Sequence, residues 1–198
     1  MRLGRFVLIL GLALVAAVPA LRAQQPASAA LSPGENLLAS LPQGWSLGFS
    51  DRDDGRAIYE YLPPDQQVED WQEMMTVQIF FGLNSVPPSA LLGQMRAGFE
   101  AECEAAGADQ LVERTVNGYP AARQLLLCGQ AQQSGMGEVT LVLALAGRDS
   151  LYVVQRAWRG NPFKGAAPQA ASTLMAGWAQ HLDSIKLCDT RDKSRSCD

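Results

Sequence analysis

Cys103, Cys128, Cys188 and Cys197 carry the most definite chemistry in this 198-residue chain. None stands in a C-x-x-C spacing, so they do not spell a dithiol catalyst. As bridges they allow three pairings. The sequence alone does not choose among them; a bridge from Cys103, on the inner face of a helix, to Cys128, at the end of an apolar strand, would close about 25 residues and be worth roughly 3.5 kcal/mol by chain entropy. Cys188 and Cys197 are then left to each other, in a shorter loop worth about 2.7 kcal/mol if the tail is ordered. A pair of buried free thiols is the alternative for the first two.

His181 is the only histidine. A zinc site would need two or more companions at ligand spacing, and the cysteines do not supply them. No G-x-S-x-G motif offers a nucleophile, and no Walker or dinucleotide loop cradles a phosphate. Asp51, Asp53, Asp54 and Gly55 open like a calcium loop, but its twelfth position is Leu62 where a glutamate is needed. They read as a solvated turn. Glu60, Glu69, Asp70 and Glu73 could form a hydrolytic pair, although nothing in their spacing requires one. The sequence therefore implies no metal, no cofactor and no recognisable enzyme.

The most interesting surface candidates are aromatic and cationic. Arg156 and Trp158 alternate onto one face of a strand, with Tyr152 and Val154 continuing it, and Arg159 follows directly. Arginine beside tryptophan is the composition of interface hot spots. Together with Trp71 from a neighbouring loop, Arg156, Trp158 and Arg159 form the expected functional face. The alternative packs Trp158 under the last helix and pairs Arg156 with a carboxylate.

The elements that must position these residues follow from periodicity. Glu138 to Arg159 is the organising stretch, two Val/Leu-rich runs around Gly147-Arg148-Asp149-Ser150, which reads as a β-hairpin. Its first run is apolar on both faces, so it is a central strand covered on both sides. Upstream, 45–50 and 56–62 read as strands, and 74–81 as a third. Leu92, Met95, Phe99 and Cys103 recur at helical spacing, predicting a helix over 90–106 stopped by Gly107, with Cys103 facing the core. A hairpin over 111–128 turns at Asn117-Gly118. A last helix spans about 168–187, with Trp178 and Leu182 on its apolar stripe. Ser32-Pro33-Gly34-Glu35 has a capping-box spacing, predicting a short helix to about Ser40.

Residues 1–23 read as a secretory signal: Arg2 and Arg5, an apolar run from Phe6 to Val18, then small residues. Cleavage after Ala23 (or Ala20) is expected. Loss of Arg2, Arg5 and Arg22 leaves 13 basic against 20 acidic residues, a net charge of about −7. Such a chain is a poor nucleic-acid binder. Its expected place is the periplasm or the exterior, where cysteines oxidise, with no stable membrane insertion after cleavage. The domain reading is a signal at 1–23, a lead and short helix at 24–40, one domain at 41–187 and a polar tail at 188–198.

The order of hairpin, strand, helix, two hairpins and final helix resembles the PsbP-like superfamily, which includes bacterial secreted DcrB-like proteins. Leu41-Pro42-Gln43-Gly44-Trp45, Thr76-Val77-Gln78-Ile79 and Val116-Asn117-Gly118-Tyr119-Pro120-Ala121 carry the likeness, over residues 41–187. It implies an α+β fold, an antiparallel sheet of about seven strands with one inserted and one C-terminal helix. It also implies an accessory, partner-binding role rather than catalysis. The expected function is an exported non-enzymatic protein that binds a protein or envelope component. The alternatives are a small-molecule or lipid-binding module and a hydrolase without a motif.

Overall fold

The computed structural model describes residues 31–198. The expected signal and most of the lead lie outside them. Among these residues, ten strands and two α-helices are laid down in chain order. The frame is one eight-stranded sheet, every pairing in it antiparallel.

Strand β1 (Glu35–Leu38) stands apart from this sheet. The sheet begins with β2 (Ser46–Arg52), β3 (Arg56–Leu62) and β4 (Glu73–Phe81). Helix α1 (Pro88–Glu102) leads into β5 (Cys103–Ala108) and β6 (Val112–Val116). Then come β7 (Tyr119–Ala131), β8 (Gly137–Ala146) and β9 (Ser150–Gly160). Helix α2 (Gln169–Ser184) and β10 (Lys186–Asp189) close the chain, before a short 3-10 turn at Lys193–Arg195. In space the order is β2-β3-β4-β9-β8-β7, after which β7 is long enough to take β6 along its first half and β5 along its second.

The fold class is α+β, with β9 in the middle of the sheet order and β8, covered on both faces, beside it. Val139, Leu141, Leu143 and Leu145 point to the face that α2 covers with Trp178 and Leu182. Val142 and Ala144 point to the other face, where Leu92 of α1 packs with Ala122, Leu126 and Val153. A strand apolar on both faces has its lowest free energy where both faces are covered, and β8 takes that place. Trp178 is 2% exposed, and truncation of such a side chain to alanine costs about 3–5 kcal/mol.

The sheet is larger than the expected seven strands, for identifiable reasons. The helical stripe that predicted 90–106 ends at Glu102, and Cys103 is already extended, opening β5 (φ −118°, ψ 135°). Its residue pairs on β7 and the bridge to Cys128 outweigh another turn of helix, which would bury little. Cys103 is thus a half-buried strand residue, not a core-facing helical one. The last helix likewise stops at Ser184, and Lys186–Asp189 becomes β10.

The short helix predicted after Ser32 is also replaced, by β1, which pairs antiparallel with β10 from Glu35↔Asp189 to Leu38↔Lys186. So short a helix forms few hydrogen bonds for its nucleation cost. The Glu35 carboxylate does not turn back to Ser32. It accepts instead from the backbone of Arg148 and Asp149 at the β8–β9 turn.

Both disulfides pair by locality, Cys103–Cys128 joining β5 to β7 and Cys188–Cys197 closing the tail. The tail is fastened rather than loose. Arg195 lies over the Tyr119 ring at 4.0 Å, and Asn117 donates to the Leu187 carbonyl at 2.9 Å. Arg191 clasps the buried Asp189, whose carboxyl it holds down at about 2. Asn117 (φ 49°) and Gly118 (φ 77°) make the two-residue turn that the Asn-Gly pair predicted.

Candidate functional site

Trp71, Trp158 and Arg159 meet in a groove of about 630 Å³ at the end of the sheet where β4 begins and β9 finishes. The loop from Pro63 to Gln72 delivers Trp71. It is ordered by Gln66, whose side-chain oxygen accepts from the backbone of Gln72 (2.6 Å) and Glu73 (2.9 Å). The Arg159 backbone N–H donates to the Gln72 carbonyl at 2.9 Å, fixing the loop to the strand.

The Arg159 guanidinium then lies 4.5 Å from the centre of the Trp71 ring. It donates to the carbonyls of Trp71 and Glu69, each at 3.2 Å. Trp158 lies against the backbone of Gly160, where any Cβ would come within 2.3 Å of the indole. All three side chains are half-buried, so each is supported from below and open above. Glu69, Asp70, Gln72 and Asn161 complete the lining.

Arg156 does not belong to this face, and here the expected surface is corrected. It shares the sheet face of Trp158, but α2 covers it, and it is only 7% exposed. Its guanidinium sits 4.6 Å from the Trp45 ring centre and 5.9 Å from that of Trp178. Glu73 approaches at 3.9 Å, and Nε has no hydrogen-bond partner. Burial pulls the Arg156 pKa below its ordinary value, countered in part by the Glu73 charge.

His181, on α2, has both ring nitrogens engaged. Nε2 lies 2.7 Å from the Ser40 carbonyl and Nδ1 3.4 Å from Arg156 Nη1. A carbonyl and a cation on either side require Nε2 to carry the proton and Nδ1 to accept. Burial lowers the His181 pKa, the Ser40 hydrogen bond raises it, and Arg156 lowers it further. The carboxylates of interest separate: Glu69 and Asp70 line the groove, whereas Glu73 lies near Arg156. Asp53 spends one carboxylate oxygen on the backbone of Gly55 and Arg56, each at 2.7 Å, as a turn residue does. Glu138, beside Arg159 across the β8–β9 ladder, is pushed up by burial, with the Thr140 hydroxyl and the Arg159 charge opposing.

A second groove, of about 480 Å³, lies between the β1 segment and the part of the sheet that α2 leaves open. Sequence reading missed it. Tyr59, Tyr61, Val77 and Ile79 alternate as core strands do, and only the conversion of a helix into β1 gives them a facing wall. The alternation of β4 was the available signal. What it could not tell is that its outer half has no helix above it.

No family model and no curated protein matches the chain. Among solved structures, LpqN, involved in cell envelope biogenesis of Mycobacterium tuberculosis, is similar at 13% identity over 79% of this chain and 86% of that one (TM-score 0.49). The Ran-binding protein Mog1p of Saccharomyces cerevisiae is similar at 12% identity over 81% and 98% (TM-score 0.48). A Pseudomonas aeruginosa protein of unknown function is similar at 11% identity over 77% and 96% (TM-score 0.47). These are likenesses of chain architecture, and they assign this chain to no family.

Proposed function

We propose that the protein is an exported, non-catalytic accessory protein that docks an envelope partner through the groove of Trp71, Trp158 and Arg159. One observation carries this reading: two indoles and a guanidinium are gathered from a loop and a strand end into one open groove. Large rigid rings beside a preorganised cation lose little conformational entropy on binding, which is why such residues dominate interface energetics. Arg159 is already fixed by two carbonyls, so its remaining donors are aimed before a partner arrives. The two disulfides fit an oxidising compartment.

A photo-crosslinking amino acid placed at Trp71, and separately at exposed Val112 on β6, tests it in cells. The expected result is a discrete adduct from position 71 alone, lost when Arg159→Ala is added. No adduct, or the same adduct from both positions, would remove the groove from function.

A further inference from the structure

The second groove carries a distinct inference, independent of the partner reading. Along β4 every second side chain from Met75 to Phe81 faces it. Met75 is fully buried at the closed end, and the strand from Val77 to Phe81 extends about 13 Å, the reach of a medium-length acyl chain. The register sorts this length by polarity. Met75 pairs with Tyr61 and Val77 with Tyr59, and Leu37 and Leu41 of the opposite wall add to this apolar body.

At the other end Ile79 pairs with Ala57, and Ala57 with Arg52. There the lining turns polar with Arg52, Glu35, Ser150 and Tyr152. Glu35 is the only carboxylate in that lining, and its oxygens are occupied. Arg148 N–H donates to Oε1, while Asp149 N–H (3.0 Å) and the Tyr152 hydroxyl (3.1 Å) donate to Oε2. Arg52 is different. It lies 4.5 Å from the Phe81 ring centre and makes no ion pair among the described residues. The groove thus has an apolar body and, at one end, an exposed guanidinium with no ion pair among the described residues, beside a Glu35 carboxylate whose oxygens are already taken.

We propose that this groove is a binding site for a medium-chain fatty carboxylate, its tail on Tyr59, Tyr61 and Val77 and its head at Arg52. Apolar burial supplies the affinity, and the charge-assisted contact fixes which way the chain lies.

Calorimetric titration of the purified full chain with dodecanoate and, in parallel, dodecanol tests the assignment. The wild type is expected to bind one dodecanoate saturably. Arg52→Gln should weaken dodecanoate about tenfold, the loss of one charge-assisted contact, while changing dodecanol less than about twofold. Leu41→Glu, at a wall residue 42% exposed and so tolerant of charge, should abolish both with an unchanged melting curve. Absence of saturable dodecanoate binding overturns the proposal. So does Arg52→Gln binding dodecanoate as the wild type does, or Leu41→Glu retaining it. A lysophospholipid that displaces dodecanoate at lower concentration would overturn the choice of a free carboxylate.

Discussion

Arg156 and Arg159 stand three residues apart on one strand, each beside tryptophan, and the fold gives them opposite surroundings. Arg156 is enclosed between Trp45 and Trp178 under α2, with one loose carboxylate and an unpartnered Nε. Arg159 lies on Trp71 at the rim, its donors on two backbone carbonyls and its surface partly in water. Residue type and immediate neighbours are nearly the same. What differs is the element overhead. An arginine-tryptophan pair is core packing where a helix covers it and stays open to solvent where only a loop does.

The largest effects should come from the enclosed arginine. Arg156→Ala removes a side chain whose methylenes fill the space between two indoles, and should cost about 2–4 kcal/mol. Arg156→Met keeps that volume and discards a poorly paired buried cation, so it should fall within about 1 kcal/mol of the wild type. Urea unfolding of both decides the matter. Equal losses would mean that the charge, not the packing, holds this position. Arg159→Ala in the same assay should cost less than about 1 kcal/mol, because its contacts are at the surface. A loss as large as that of Arg156→Ala would erase the distinction between the two sites.

Gly160 offers a way to break the exposed site from beneath. A Cβ there falls inside the Trp158 ring, so Gly160→Ala must displace the indole. The cost should be about 1–3 kcal/mol, the usual penalty for overpacking. Tryptophan emission should shift to the red as Trp158 moves into water. Unchanged emission would show that the strand end yields instead of the ring.

How far the sequence foretold this depends on which forces are local. The Asn117-Gly118 turn was legible because two φ values above zero admit few residues. The central strand β8 was legible because both of its faces are apolar. The disulfides follow proximity along the chain. Glu35–Leu38 was not legible as a strand, because its partner, Lys186–Asp189, lies some 150 residues away, and nothing local announces that pairing. Cys103 misled because a helical stripe and a strand residue both want burial, and the stripe ended one residue earlier. Of the expected site, Trp71, Trp158 and Arg159 come together. Arg156 does not, because alternation shows which face a side chain takes but not whether a helix lies above that face.

The smallest predicted effect belongs to the enclosed arginine alone and is read through pH. His181 donates from Nε2 to Ser40 and accepts at Nδ1 from Arg156, and Glu73 on β4 lies 3.9 Å from that arginine. Protonation would turn Nδ1 into a donor pointing at a cation. In the folded chain the pKa is therefore lowered from 6.5, burial being the largest cause. The unfolded chain takes up the proton first. Stability should hold above about pH 7, then fall as the pH drops through 6.5 toward the lower folded value, and level off below it. Glu138 and Glu60, both raised by burial, add an opposing slope. The informative quantity is therefore the difference between wild type and His181→Gln, which removes the only histidine and keeps a donor for Ser40. Melting temperatures of both from pH 7.5 to 5 should diverge on the acid side, the wild type falling faster. Adding Arg156→Met should shrink that divergence, since the cation beside Nδ1 would be gone. If the divergence persists in full, Arg156 does not hold His181 neutral, and the enclosed arginine acts on its neighbours by packing alone.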